Sequence, residues 1–464
     1  MRILLVMPDS HMHSIHLGPF VRSFREMPLT LCTLAALTPD LPDLDIKLVD
    51  GSVEPVPMND SADLVGISVI TGCAPSAYAI ADHYRGRGVP VVLGGIHVTI
   101  LPGEAARHAD AIVIGRGETT WPKLVRDFVE GRMKGVYREE PADGEWLEGV
   151  PSPRRELHRR GAYVLPDSIQ ATRGCKRACD FCTVPAVWSK YMKRPIGDVL
   201  RDIEDTRGKH IAFNDVSLLE DIDYAKELFE AMIPLKKKWG GLATVDSVKD
   251  PELLDLMARS GCAYLLFGFE SGNGTVLKGI RKGFNRVDGY QELVKTIHGL
   301  GISVQGCFVF GFDEDEPSVF PATVEKVNEL EIDIPRYSIY TPYPGTQLFQ
   351  RLLSEGRILS FNWNDYDTMH VVMQPARMTP EELYDGFKRA YRETFKISPI
   401  LNRMRGAGIG TAINLVGNVA YRLFVRRLYH EPRYSRPFSS SDPGRPPEAA
   451  DYRAGFCRRM ECPA

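Results

Sequence analysis

Cys175, Cys179 and Cys182 stand in the run Thr172-Arg-Gly-Cys-Lys-Arg-Ala-Cys-Asp-Phe-Cys-Thr183. Spaced C-x3-C-x2-C, they bring three soft thiolates onto one tight loop, the ligand type that selects iron–sulfur clusters, zinc or cuprous copper. A structural zinc site closes with a fourth Cys or His close by, whereas the next candidates downstream, His210 and Cys262, lie far along the chain. Three thiolates on a four-iron cluster leave one iron open to a substrate or cofactor.

The elements that position this trio come in two sets. In the first third, apolar runs at Ile3 to Met7, Ile46 to Val49, Leu64 to Val69, Val89 to Leu93 and Ala111 to Ile114 alternate with helix-length stretches such as Pro75 to Arg85 and Trp121 to Glu130. Continuous apolar runs are strands covered on both faces, so this pattern predicts a doubly wound parallel sheet. Strand ends in such sheets hold ligands. Here they read Ser68-Val-Ile-Thr71-Gly72, Gly94-Gly95-Ile-His97 and Gly115-Arg-Gly117-Glu118. The second set, Ser168 to Thr172, Ile211 to Phe213, Leu242 to Val245, Tyr264 to Phe269, Ser303 to Phe310 and Arg336 to Tyr340, predicts a partial (β/α)6 barrel of the TIM type. Barrel chemistry sits at the carboxyl ends of the strands, and the cysteine loop follows the first of them.

With Phe181 just before its third cysteine, the motif resembles that of the radical S-adenosylmethionine enzymes. The glycine-bearing strand ends, above all Val91-Val-Leu-Gly-Gly-Ile-His-Val-Thr99 and Gly115-Arg-Gly-Glu118, resemble the cobalamin-binding domain of one large branch of that family. The resemblance implies a 4Fe-4S cluster on Cys175, Cys179 and Cys182, and S-adenosylmethionine on its open iron, cleaved by one electron to a 5′-deoxyadenosyl radical. It also implies cobalamin over Ser68, Thr71, Gly72, Gly94, Gly95, His97, Gly115, Gly117 and Glu118. For S-adenosylmethionine the candidate contacts are Phe181, Asn214, Asp215, Ser247, Glu270 and Ser271. Glu270 and Ser271 lie in Gly268-Phe-Glu270-Ser271, similar to a family segment, where a carboxylate suits ribose hydroxyls. Asn214 and Asp215 also read as a helix cap, and His97 also reads as a hydrogen-bonded loop histidine. The mutase pattern Asp-x-His-x-x-Gly is absent, since Asp82-His83-Tyr84-Arg85-Gly86 lacks the intervening residue. No protein histidine is therefore expected on cobalt.

Composition bounds the remainder. A chain of 464 residues fits two or three domains, and 44% hydrophobic with 25% charged residues is ordinary for a soluble globular protein. A net charge of −3 supplies no drive toward nucleic acid. Nine cysteines, an odd number with a clustered trio, fit a reducing cytoplasm, and the N-terminal run cut by Pro8 reads as a strand rather than a signal peptide. The expected organisation is a Rossmann-like cobalamin domain over 1–135, a linker over 136–166 and the barrel over 167–356. A mostly helical region then covers 357–431, and a disordered tail 432–464 carries Cys457 and Cys462 without neighbouring ligands. Tyr366, Asp367 and His370 suit either the cavity mouth or a structural cap. The apolar stretch 409–428, with Arg422, Arg426 and Arg427, suits a helix lying peripherally on a membrane or one docked on the barrel.

The function implied is methylation of an unactivated carbon on a small-molecule or lipid substrate, with electrons from a donor such as flavodoxin or ferredoxin. Cyclisation or oxidative rearrangement without methyl transfer is the second reading, and a cobalamin or metal sensor without turnover the third.

Overall fold

The computed structural model describes residues 1–9, 14–17, 20–140, 144–188, 190–404, 411–438 and 444–448. The five early apolar runs form β1 (Arg2–Met7), β2 (Asp45–Asp50), β3 (Leu64–Ser68), β4 (Val91–Gly94) and β5 (Ala111–Ile114), and β6 (Val136–Arg138) adds a sixth strand. The sheet is wholly parallel, in the order β2-β1-β3-β4-β5-β6. The chain leaves β1 toward one edge and returns at β3 to build the other, so the switch in direction falls between β1 and β3. Open α/β sheets bind ligands outside the carboxyl ends at such a switch.

The second sheet runs in sequence order through β7 (Ser168–Ile169), β8 (His210–Phe213), β9 (Lys238–Ala243), β10 (Cys262–Glu270), β11 (Ser303–Phe310) and β12 (Ile334–Ile339), all parallel. β7 and β12 do not pair, so the barrel is partial. β9 starts ahead of the apolar run that announced it because Gly240 and Gly241 carry no hydrophobic signal. Both are packed: a Cβ on Gly240 would stand 3.0 Å from the Tyr264 ring.

Two stretches differ from expectation, and a third meets one of its two readings. Residues 136–166 are no plain linker: β6 opens the stretch, and Tyr163–Leu165 pairs near its end with Phe20–Glu26 in a small sheet. Between them Arg155, 5% exposed, donates to Asp202 at 2.6 Å and to the Ser168 carbonyl at 3.1 Å. Short strands flanked by charges give too little periodicity to be read. The start of the tail is docked too, with Tyr434 buried and the Val371 amide bonded to the Pro437 carbonyl at 2.8 Å. Cys457 and Cys462 lie outside the described residues. Finally, the helix Thr411–His430 packs Tyr421, Phe424 and Leu428 against the barrel core, while Leu415, Val416, Val419 and Leu423 face outward. Among the described residues no helix is long and apolar enough to cross a membrane.

Candidate active site

The cysteine loop is held by its neighbours rather than by its own geometry. Gly174 turns it with φ +86°, and a Cβ there would meet the Lys190 carbonyl oxygen at 2.2 Å. Asp180 accepts from the Tyr340 hydroxyl at 2.8 and 2.9 Å, its carbonyl accepts from the Leu348 amide at 3.0 Å, and its amide donates to the Ile280 carbonyl at 3.3 Å. Phe181 stands edge-on to Tyr340, 5.9 Å between ring centres. The Arg177 amide donates to Cys175 Sγ at 3.4 Å.

Among the described residues no three His, Cys, Asp or Glu side chains converge tightly enough for one metal ion. Yet Cys175 and Cys182 both act electrostatically on Cys179, so the trio shares one site. Three thiolates sharing one site suit an iron–sulfur cluster with one iron left open. Burial pushes the Cys175 thiol up to about 11 and Cys179 to about 12, and raises Cys182 as well. Cluster assembly must therefore displace protons from desolvated thiols. One cation eases that cost. Lys282, beside Cys179 and Cys182, pairs with Glu270 at 2.5 Å with both side chains nearly buried. Burial works against its charge, but Glu270 and the two thiols outweigh that and raise its pKa.

The remaining barrel-end residues divide. Asn214 keeps a buried Oδ1 with no hydrogen-bond partner, an acceptor open to a ligand's N–H or O–H. Asp215 is committed: fully buried, it accepts from the amides of Ala171 and Thr172 and from the Thr172 hydroxyl at 2.6 Å, clamping the strand that leads into the cysteine loop. Glu270, expected on ribose, spends one oxygen on Lys282 and holds a left-handed backbone at φ 62°. Ser247 donates to the Thr244 carbonyl at 2.8 Å, and Ser271 accepts from the Asn273 amide at 3.1 Å, so both shape turns. Beside Cys175, unmarked by the sequence reading, Glu220 receives Ser217 at 2.5 Å and faces Arg177, which also reaches Asp246 at 2.6 Å.

At the first sheet's edge, Gly95 has φ +103°, and a Cβ would stand 2.8 Å from both the amide nitrogen and the carbonyl oxygen of Val69, with Ser68 Oγ at 3.2 Å. Gly94 lies over Val113, and Gly117 opens a helix against Leu34. Gly115, at φ +89°, lies against Glu139 and donates to Thr99 Oγ1 at 3.0 Å. His97 is fully buried, its Nδ1 3.3 Å from Thr71 Oγ1 and its Nε2 3.3 Å from Glu104, which Trp363 also meets at 3.0 Å. Both ring nitrogens are taken, so His97 and Thr71 build the loop instead of offering a free imidazole. Gly72 abuts the Tyr366 carbonyl. Tyr366, Asp367 and His370 are all buried and act as a cap: Asp367 contacts His370 at 3.0 Å, and His370 Nε2 lies 3.0 Å from the Arg433 carbonyl. Glu118 turns from the first sheet toward the second, pairing with Arg173 at 2.5 Å, two residues before Cys175. Burial opposes its charge, but Arg173 holds its carboxyl below the usual range.

That ion pair joins the two ligand-bearing edges, and apolar contacts extend the junction. A Cβ on Gly345 would meet Ile100 at 2.9 Å and Ala186 at 3.3 Å, just beyond Cys182. Ala186 and Val187 pack on the first domain's core. The loops that follow the strand ends of both sheets thus meet at one junction.

Residues 169–315 match the radical SAM superfamily model and residues 35–125 the B12 binding domain model. The bacteriochlorophyllide d C-12(1)-methyltransferase of Chlorobaculum tepidum is 33% identical over 423 residues, 87% of this chain and 90% of that protein. The same organism's bacteriochlorophyllide d C-8(2)-methyltransferase is 29% identical, over 85% of this chain and 91% of that protein. Among solved structures, the radical S-adenosylmethionine methyltransferase TsrM from Kitasatospora setae, with cobalamin and a 4Fe-4S cluster bound, shares the fold at TM-score 0.62 and 20% identity. The match covers 76% of this chain and 78% of that one. The cofactors are accordingly a 4Fe-4S cluster, S-adenosylmethionine and cobalamin, and the chain belongs to the cobalamin-dependent radical S-adenosylmethionine enzymes, among their C-methyltransferases.

Proposed function

We propose that this enzyme methylates an unactivated carbon on the periphery of a chlorophyllide-type tetrapyrrole. The likeness of nearly the whole chain to the C-12(1)-methyltransferase carries this reading. It is supported by apolar, incompletely buried side chains on the barrel's inward face, Leu242, Leu266 and Val309 among them.

In this reading Cys175, Cys179 and Cys182 hold the cluster. Asn214 and Phe181 meet the S-adenosylmethionine bound there, with Lys282 balancing negative charge beside it. The loops at Ser68, Gly94-Gly95 and Gly115 seat cobalamin. When bound, the cluster supplies the electron that generates a hydrogen-abstracting radical, and cobalamin supplies the methyl group. The protein's part is placement: Asp215 fixes the approach to the cysteine loop, Lys282 stays protonated against Glu270, and the Glu118–Arg173 pair sets one cofactor edge against the other. Trp363, Tyr366 and the docked residues 432–438 close the C-terminal side and restrict water. An electron donor of the flavodoxin or ferredoxin kind and contact with a membrane surface through Leu415, Val416, Val419 and Leu423 complete the proposal.

Reconstituted enzyme given reductant, methyl-labelled S-adenosylmethionine and bacteriochlorophyllide d should place label on a carbon of the macrocycle. Ring closure or oxidation with no label incorporated would overturn the methyl-transfer reading. Retention of the protein on anionic liposomes tests the membrane contact, and indifference to them removes it.

A further inference from the structure

The barrel interior holds a guanidinium that no described residue pairs with. Arg336 lies on β12 opposite Cys307 of β11, which lies opposite Gly268 of β10. A Cβ on Gly268 would meet Glu270 and, at 2.7 Å, Lys282, so the Arg336 layer lies next to the ion pair that neighbours Cys179 and Cys182. Among the described residues the Arg336 side chain makes no hydrogen bond and no ion pair, although it stands in a desolvated interior and is only partly accessible.

Its neighbours include Tyr421, Cys307, Tyr391 and Tyr264, drawn from the helix Thr411–His430, from β11, from the helix Pro380–Thr394 and from β10, and Tyr343 beyond β12. None supplies a negative charge at neutral pH: burial pushes Cys307 up to about 11 and raises all four phenols above their ordinary range. The polar atoms nearby satisfy one another, Tyr264 donating to Gln305 and Gln305 donating to Tyr421 at 3.1 Å. Of the carboxylates near this layer, Glu270 is bound to Lys282, Asp367 is bound to His370, and Glu26 acts on Tyr264 and forms no ion pair with Arg336 among the described residues. A desolvated charge without a counter-ion is costly, and a guanidinium fork matches a carboxylate through two parallel hydrogen bonds.

We propose that Arg336 binds a carboxylate of the substrate, anchoring an apolar body whose reacting carbon lies toward the cysteine loop. The inference rests on the tetrapyrrole reading for the identity of that body: a chlorophyllide differs from its esters by one free carboxylate, which a guanidinium fork matches. The site thus selects an acid over its ester.

The test uses reconstituted holoenzyme, wild type, Arg336→Met and Arg336→Lys, each checked for cluster and cobalamin absorbance so that misfolded protein is recognised. Bacteriochlorophyllide d and its methyl ester are titrated against each, and in parallel dodecanoate against dodecanol as a probe free of any tetrapyrrole. Wild type should prefer the acid by roughly 10- to 100-fold. Arg336→Met should abolish that preference while leaving ester affinity in place, and Arg336→Lys should keep part of it. Equal acid preference in wild type and Arg336→Met overturns the proposal. Should wild type ignore both chlorophyllide forms yet prefer dodecanoate through Arg336, the tetrapyrrole reading falls and the carboxylate site stands; absence of both preferences removes the site.

Discussion

The two parallel sheets are built from similar strands and end in different uses. In the first, β1 buries Ile3, Leu4, Leu5 and Val6 almost completely on both faces, and β3, β4 and β5 do the same. In the second, burial alternates: Leu265, Phe267 and Phe269 of β10 are buried under helices while Tyr264, Leu266 and Gly268 remain partly accessible on the inward face. A sheet covered on both faces can offer a ligand only its edge. A sheet curled without closing keeps an interior as well as an edge, so it can hold a substrate beneath a cofactor. The first sheet is therefore a seat for one large group, and the second is the reaction vessel.

Breaking the second edge should have the largest effect. Cys175→Ala, Cys179→Ala or Cys182→Ala removes a cluster ligand, and 5′-deoxyadenosine formation, read by chromatography, should disappear. Cobalamin absorbance should persist, since the cobalamin edge is separate; loss of both together would mean that the two edges are not independent. Next comes Lys282→Met, which leaves Glu270 buried without its cation. Denaturant unfolding should show a loss of about 3–5 kcal/mol, and Lys282→Arg should recover part of it.

Gly95→Ala probes the first edge alone. Its positive φ and the Val69 backbone 2.8 Å from the new Cβ should cost about 1–3 kcal/mol. Weaker retention of cobalamin with iron content unchanged is the expected result, and unaltered cobalamin affinity would show that this turn does not shape the seat.

The smallest effect concerns the cap shared by both regions. Burial opposes charge on His370, but Asp367 outweighs it and raises the ring's pKa, while the same contact holds Asp367 below its ordinary value. The His370 contribution is complete below about 6.5 and fades as pH rises through the raised value, whereas that of Asp367 is complete above about 3.9 and fades on acidification. Hydrogen exchange at the Val371 amide, corrected for intrinsic rate, should therefore show protection declining as pH climbs past neutrality. Protection that holds or grows would refute the pairing.

Much of this architecture was legible in the residues. Ile3 to Met7 and Ser303 to Phe310 announce themselves as strands because burial demands apolar side chains, and the cysteine trio announces its chemistry because its ligands are neighbours in the chain. β6 and Tyr163–Leu165 escaped notice because so few residues carry no period. The roles of Glu118, Glu270 and His97 escaped for another reason. Each carboxylate or imidazole looks available until its partner is known, and the Glu104 that binds His97 meets Trp363 across 259 residues.

The sequence by itself determined the cofactor chemistry, since ligand type and spacing are local properties of one short loop. Only the tertiary structure decided which polar groups are already paired and which, like Asn214 Oδ1 and the Arg336 guanidinium, have no partner among the described residues. Charge compensation is settled by distances of a few ångströms between elements far apart in the chain.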